Sequence, residues 1–322
     1  MDTLSRLIDL ARPQARLDLR CLLSGGFDID HAPMEAGIAP FHLVLGGACV
    51  VDTAAGVQVP LRAGDFVLFP RGAAHRIRDV ACSPATAPLT IAHDGMLPLR
   101  RNQDESASAP ADLDLLCGRF VYSPGSSALL LNALPDPLHV SLGDEQSLHA
   151  LQTVIALMRT EAERRQAGAL AIVTALSQAL FAMALRVHGE TNASASGVLA
   201  LLADARLGSS VQSMLHAPER AWTIAELGER AAMSRATYAR HFAERAGMTV
   251  MDFLTQIRMT VACDLLLRTQ RSAADIGEAV GYQSEAAFGK AFQQCIGVTP
   301  GRYRRKQPGA EGAEGAAGAA GA

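Results

Sequence analysis

The last third of the chain contains one arrangement twice. Thr223, Leu227, Gly228 and Ala231 recur 49 residues later as Ser272, Ile276, Gly277 and Val280. Ser234, Tyr238 and Phe242 recur 50 residues later as Ser284, Phe288 and Phe292. Such a duplication restricts this region to two copies of one supersecondary unit sharing a core. Each copy opens on a capping box, Thr223-x-x-Glu226 or Ser272-x-x-Asp275. Each then predicts a short helix, a turn (Ala232-Met233, or Gly281-Tyr282-Gln283) and a second helix restarting at a serine N-cap. Tyr238/Phe242 and Phe288/Phe292 lie four apart, so each second helix buries one stripe and exposes the other. That is a helix-turn-helix, twice.

The exposed stripes carry the chemistry. The first presents Arg235, Ala236, Ala239 and Arg240, and the second Glu285, Ala286, Gly289 and Lys290. Small residues beside a cation let a helix approach base edges while Arg or Lys reaches guanine or phosphate. A face chosen only for helix stability would carry Glu/Lys pairs and no glycine. Val250 to Arg268 predicts a connecting helix of 19 residues, roughly 28 Å at 1.5 Å per residue. One turn of B-DNA is about 34 Å, so the connector suits two helices in successive major grooves of double-stranded DNA. Arg258, Arg268, Arg271, Arg302, Arg304, Arg305 and Lys306 are then available for phosphate contacts.

Net charge at first argues otherwise. The 322-residue chain carries 29 Lys+Arg against 32 Asp+Glu, a formal −3. Residues 198–307, however, hold 14 cations against 10 anions, a net +4, while residues 1–197 hold 15 against 20. The average hides a basic C-terminal region behind an acidic N-terminal one. With 49% apolar residues the chain has ample core, which excludes a disordered chain or a disulfide mini-fold.

Met233-Ser-Arg-Ala-Thr-Tyr-Ala-Arg-His-Phe242, with Gly247, Phe253 and Arg258, resembles the first half of an AraC/XylS-type DNA-binding domain. Ile276-Gly277, Gly281-Tyr282, Ser284, Phe288, Phe292 and Gly297-Val-Thr-Pro-Gly-Arg-Tyr-Arg304 resemble its second half and closing signature. Val250 departs from the family, which commonly has proline there. The resemblance implies a transcription regulator, usually an activator working with RNA polymerase. It places base contacts at Ala236, Ala239, Arg240, Glu285, Ala286, Gly289 and Lys290.

Upstream, from about Leu17 to Leu142, short apolar runs between Gly and Pro turns predict an all-β sandwich or barrel. Gly64-Asp-Phe-Val-Leu-Phe-Pro70-Arg-Gly72-Ala-Ala-His75 resembles the second cupin motif, with His75 pointing into the barrel. Metal-binding cupins add a His-x-His and a Glu from an earlier strand. Phe41-His42-Leu43 offers one histidine, and two ligands do not make a transition-metal site. His42 and His75 are therefore read as ligand-pocket candidates, with no metal and no cofactor expected.

Six cysteines without a signal peptide read as thiols of a cytoplasmic protein. Cys21 follows Arg20 and Cys117 precedes Gly118-Arg119, and a nearby guanidinium raises thiolate content. Met1-Asp-Thr-Leu-Ser-Arg-Leu, Pro13-Gln, Cys21 and Cys117-Gly are similar to a cupin-containing, reactive-chlorine-responsive (RclR-like) AraC subfamily. That resemblance implies redox sensing at Cys21 and Cys117; otherwise both are small buried hydrophobes. Cys49, Cys263 and Cys295 read as packing residues.

The expected architecture is multidomain α+β. A cupin-like sensor spans 1–145 with a loop over 83–112, and a helical dimerisation pair spans 146–188. A flexible linker at 189–197 leads to an all-α double helix-turn-helix domain over 198–307, and 308–322 is a disordered tail. Leu170 to Val187 is apolar nearly all round, which suits burial at a homodimer interface better than a membrane span. The alternatives to thiol oxidation are a small-molecule ligand in the barrel, or a cupin enzyme fused to a DNA-binding module.

Overall fold

The computed structural model describes residues 2–93, 97–103, 111–141, 153–158, 160–161, 166–191 and 197–305. The chain divides into two compact units, Met1–Ala205 and Arg206–Ala322. The first is a curled β half-barrel with helices packed on one side, and the second is helical, in keeping with the cupin-like and double helix-turn-helix expectations.

In the first unit, α1 (Thr3–Ala11) starts at Asp2, whose carboxylate accepts the Ser5 N–H at 2.9 Å. The strands are β1 (Gln14–Leu23), β2 (Asp28–His31), β3 (Ile38–Thr53), β4 (Gln58–Arg62), β5 (Asp65–Leu68), β6 (His75–Arg78), β7 (Thr90–Ala92), β8 (Leu99–Arg101), β9 (Leu113–Val121) and β10 (Leu138–Ser141). The 16-residue β3 serves both halves of the barrel. Its first part pairs antiparallel with β5 and β9, and its second part with β4 and β6. The register breaks between Val44 and Gly46, and Gly47 lies at φ 80° where a Cβ would meet the Asp112 carbonyl at 1.8 Å. Only glycine turns this corner.

Period-two alternation then sorts the side chains. Phe41, Leu43 and Leu45 face the outer core with Leu116, Phe120 and the helices, while Val44, Leu115 and Cys117 join Cys21 and Phe69 inside. β9, with β1 and β3 on its two edges, is buried on both faces because Leu116 and Phe120 enter the helix-covered core and Leu113, Leu115 and Cys117 the barrel interior.

The stretch expected as a loop over 83–112 contains β7 and β8, and β8 adds to β1 in parallel. Three-residue strands among prolines and serines give no readable alternation, which is why composition alone marks a loop. Helix α2 (Pro124–Leu131) follows β9, and residues 153–158 are helical (α3). The rest of the first helix expected in the dimerisation pair lies largely outside the described residues.

Helix α4 (Ala169–Thr191) continues through Gly189, into the segment expected as linker. It buries Val173, Ser177, Leu180, Phe181, Ala184 and Leu185, one stripe at helical spacing, against the sheet. Its length and composition would allow a membrane crossing, but this stripe is a core face. Leu170 and Ile172 remain 45% and 41% exposed. Helix α5 (Val198–Ala203) sends Leu199 into the same core, so the second compact unit begins at Arg206.

The second unit holds α6 (Gly208–His216), α7 (Ile224–Arg230), α8 (Arg235–Ala246), α9 (Val250–Arg268), α10 (Ala273–Ala279), α11 (Glu285–Ile296) and α12 (Pro300–Arg305). Both capping boxes form, at Thr223/Glu226 and Ser272/Asp275, and Ser234 and Ser284 cap α8 and α11. The connector α9 has the expected bounds, and Thr249 caps it through the Asp252 N–H. Phe253 of α9 packs edge-on to Phe242, while Met259, Ala262, Cys263 and Leu266 pack with Phe288 and Phe292. One central helix thus serves both copies.

Candidate functional site

Two sets of residues present chemistry, one outside the helical unit and one inside the β unit. On α8, Tyr238 and Phe242 are fully buried, and the Tyr238 hydroxyl donates to Ser210 Oγ at 2.9 Å. Burial pushes that phenol up to about 12. This anchoring fixes the helix rotation. Arg235, Ala236 and Arg240 are exposed and Ala239 is half-buried. On α11, with Phe288 and Phe292 buried, Glu285, Ala286 and Lys290 are exposed and Gly289 is half-buried. The two faces repeat position by position.

Among the cations expected at phosphates, Arg271 is exposed and also donates to the Asp275 carbonyl at 3.2 Å. Arg258 donates to the carbonyls of Pro218 and Arg220 at 2.7 and 2.9 Å, and Arg304 to those of Leu266 and Arg271. These two guanidinium groups clasp the backbone; carbonyls left at element ends need donors, and sequence alone does not reveal that demand. Lys306 lies outside the described residues.

Inside the β unit, register assembles a chain of polar groups. His42 lies opposite Cys117 across β3 and β9, and its Nδ1 is 3.1 Å from Cys117 Sγ. His42 Nε2 is 2.8 Å from His75 Nε2, and His75 Nδ1 is 2.9 Å from the Ala73 carbonyl. A carbonyl only accepts, so His75 carries its proton on Nδ1 and Nε2 keeps a lone pair. His42 then donates from Nε2, which leaves its Nδ1 a lone pair on the side of Cys117 Sγ.

His31 joins this cluster, which the sequence reading missed. It pairs with His75 across β2 and β6, and the two rings stack at 4.6 Å. The count of two histidines in the barrel is therefore corrected to three. Burial is the largest influence lowering all three imidazoles, His31 to about 4. Each is neutral at physiological pH.

Cys21 and Cys117 are buried neighbours on β1 and β9 whose thiols are hydrogen-bonded. That bond holds the Cys21 thiol below its ordinary value against the opposing effect of burial, with Arg100 assisting. The Cys117 thiol is pushed well up by Cys21 and by burial. The guanidinium responsible is not the one that sequence adjacency suggests. Successive strand residues point to opposite faces. Arg20 turns away to form a bidentate pair with Asp114 at 2.8 and 2.7 Å, and Arg119 pairs with Asp18 at 3.2 Å. Arg100, from the stretch expected as loop, stands beside Cys21 in register. Burial drives Cys49 and Cys263 up to about 12, the inert behaviour of packing thiols. Cys295, expected to pack, is exposed.

A β half-barrel joined to a paired helix-turn-helix defines a DNA-binding regulator with its own N-terminal domain. Comparison with known proteins agrees. Residues 2–190 match the Cupin family, and residues 227–306 match the helix-turn-helix domain family. An uncharacterised HTH-type transcriptional regulator of Haemophilus influenzae is 34% identical, covering 95% of this chain and 99% of its own length. MtrA of Neisseria gonorrhoeae, an HTH-type transcriptional regulator, is 31% identical over 95% of this chain and 99% of its own. The RCS-specific HTH-type transcriptional activator RclR of Escherichia coli is 29% identical over 95% of this chain and 98% of its own. The chain belongs to the AraC family of transcription regulators with an N-terminal cupin domain.

Proposed function

We propose that this regulator is a cytoplasmic, dimeric activator switched by oxidation of Cys21 and Cys117. The two buried thiols, diagonal neighbours on paired strands in the inner core of the barrel, carry this reading. A two-electron oxidant reacts at the Cys21 sulfur, the thiol favoured by Arg100, giving a sulfenyl derivative. The Cys117 sulfur then displaces the leaving group; two electrons go to the oxidant, two thiol protons are lost and one S–S bond forms.

The register ties that bond to movement. Cys117 faces Leu19 and Cys21 faces Leu115, a diagonal relation. Diagonal Cα atoms lie about 7–8 Å apart, beyond the roughly 4.4–6.8 Å of disulfides. Closing the bridge draws β1 and β9 together. One feature gives the strands room: Asp18 is the extra residue where the register shifts between Leu17 and Leu19.

DNA is read by Arg235, Ala236, Ala239 and Arg240 of the first copy and Glu285, Ala286, Gly289 and Lys290 of the second. The outer face of α4, with Leu170 and Ile172 exposed, suits a second copy of the chain. Activation through RNA polymerase is carried over from the family and from RclR, which is named an activator.

The test is promoter transcription with and without hypochlorite, paired with thiol mapping by mass spectrometry. Cys21→Ser or Cys117→Ser should abolish the oxidant response and leave DNA binding of the reduced protein unchanged. A full response in both variants would refute the switch.

A further inference from the structure

We propose that Arg258 is a positioning residue that braces the two helix-turn-helix copies against each other, so that the protein accepts two DNA segments at one separation only. The inference rests on the reading of α8 and α11 as DNA-contacting helices, and adds what fixes the distance between them. Arg258 lies midway along the connector α9, and its contacts run to both copies. Its Nε donates to the Pro218 carbonyl at 2.7 Å and an Nη to the Arg220 carbonyl at 2.9 Å, in the segment that leads into α7. The same guanidinium stands 5.7 Å from the centre of the Tyr282 ring, in the turn that leads into α11.

The two segments also meet directly. A Cβ on Gly281 would stand 2.3 Å from the Glu219 carbonyl oxygen and 2.9 Å from Arg258 Nη2. The entry to the first copy is thus seated on the turn of the second, with the guanidinium beside both. Each segment is tied in turn to its DNA-facing helix. The buried Trp222 indole donates to the Ala217 carbonyl at 2.8 Å, and the Arg220 guanidinium stacks 4.1 Å from its ring centre. Arg220 pairs with Glu226 at 3.0 Å, the residue that closes the capping box of α7. Helix α7 packs on α8, where a Cβ on Gly228 would lie 3.4 Å from Tyr238. In the second copy Tyr282 packs on Phe288 of α11, ring centres 5.8 Å apart.

Two bodies packed on one helix can still rock about it, and a second tie removes that freedom. Arginine suits the task, because its planar fork reaches two carbonyls at once while its face meets an aromatic ring. Lysine carries the same charge without the fork. The brace matters on DNA because one inserted base pair moves a contacted segment by about 3.4 Å and turns it by roughly 35° around the duplex. A braced protein cannot follow that displacement, whereas copies free to rock on α9 can.

The experiment uses reduced full-length protein and duplexes that the wild type selects from a random pool, with footprinting to mark the two protected segments. Affinity is then compared on the selected duplex and on one with a base pair inserted between those segments. The wild type should lose about tenfold or more on insertion, as for one mismatched base pair, and Arg258→Lys less than about threefold. A smaller folded fraction cancels in this ratio, so a merely destabilising substitution leaves it at the wild-type value. Arg258→Met should relax the spacing too and keep the salt dependence, whose slope loss of a phosphate contact would lower by about 1. Equal insertion penalties in the wild type and Arg258→Lys would overturn the role. A second measurement needs no DNA. Spin labels at Glu244→Cys and Gln294→Cys, with the exposed Cys82 and Cys295 replaced by serine, report the distance from α8 to α11. A narrow distribution should broaden in Arg258→Lys, and an unchanged one would overturn the brace. A single protected segment would instead refute DNA reading by both copies, and the label distances would still decide the brace.

Discussion

The two helix-turn-helix copies share one scaffold and differ in what they hold out. Caps, buried aromatics and exposure repeat along α8 and α11. The first face, however, carries two arginines, while the second carries one lysine, one glutamate and a glycine. Their turns differ as well. At equivalent positions the first copy has Ala232 at φ 52° and the second has Gly281 at φ 87°. A duplicated fold thus preserves what positions a helix while freeing both its outer face and the residue that strains its turn. That division makes the copies separable by experiment.

The largest effect should come from the turn of the second copy. A Cβ on Gly281 would sit 2.3 Å from the Glu219 carbonyl, in addition to the positive φ. Gly281→Ala should cost roughly 2–5 kcal/mol, combining left-handed strain with overpacking. Denaturant unfolding that detects less than about 1 kcal/mol would show that this turn relaxes freely.

Next comes an alkaline effect tied to Tyr238, whose equivalent position in the second copy is Phe288. The folded phenol is pushed up to about 12 from its ordinary value of 10.0. Unfolded chains lose this proton first, so the contribution is complete below pH 10 and disappears as pH rises toward 12. Two pH units correspond to about 2.7 kcal/mol. Tyr238→Phe should remove that dependence and, through the lost bond to Ser210, cost about 1 kcal/mol at neutral pH. An unchanged alkaline midpoint would contradict the role given to burial.

The outer faces should separate at the level of DNA. Arg240→Ala should cost roughly 1–3 kcal/mol and relax base preference at one operator position. Lys290→Ala, if it meets phosphate, should weaken all sequences alike and lower the salt slope by about 1. Footprints unchanged by Arg240→Ala would remove α8 from the major groove.

Legibility followed the range of the interactions. The helical unit could be read closely because caps, turns and four-residue stripes are local, and even the bounds of α9 followed from its neighbours. Inside the β unit the motif around His75 announced a barrel, yet two partners stayed hidden. His31 reaches the cluster only through the pairing of β2 with β6, and Arg100 only through a three-residue strand placed beside β1. The same limit misassigned Arg20, which adjoins Cys21 in sequence but points away once strand alternation acts, and Arg119, which lies two residues from Cys117 on the same strand but is taken up by Asp18. Arg258 and Arg304 looked like phosphate contacts because nothing in a sequence shows which carbonyls lack donors.

The smallest expected effect returns to the turn and runs the other way. Ala232 occupies the left-handed region that its counterpart leaves to glycine. Relieving that strain with Ala232→Gly gains about 1–2 kcal/mol, and the added freedom of glycine in the unfolded chain takes back roughly 0.4–1. The net expectation is a gain of about 0–1.6 kcal/mol in the first copy. Set beside the loss from Gly281→Ala, opposite signs at equivalent positions would show that the copies share a backbone conformation and differ only in how well their residues suit it. Destabilisation by Ala232→Gly would instead mean that this alanine's methyl group contributes more through packing than its backbone loses through strain, and the two turns would then not be equivalent.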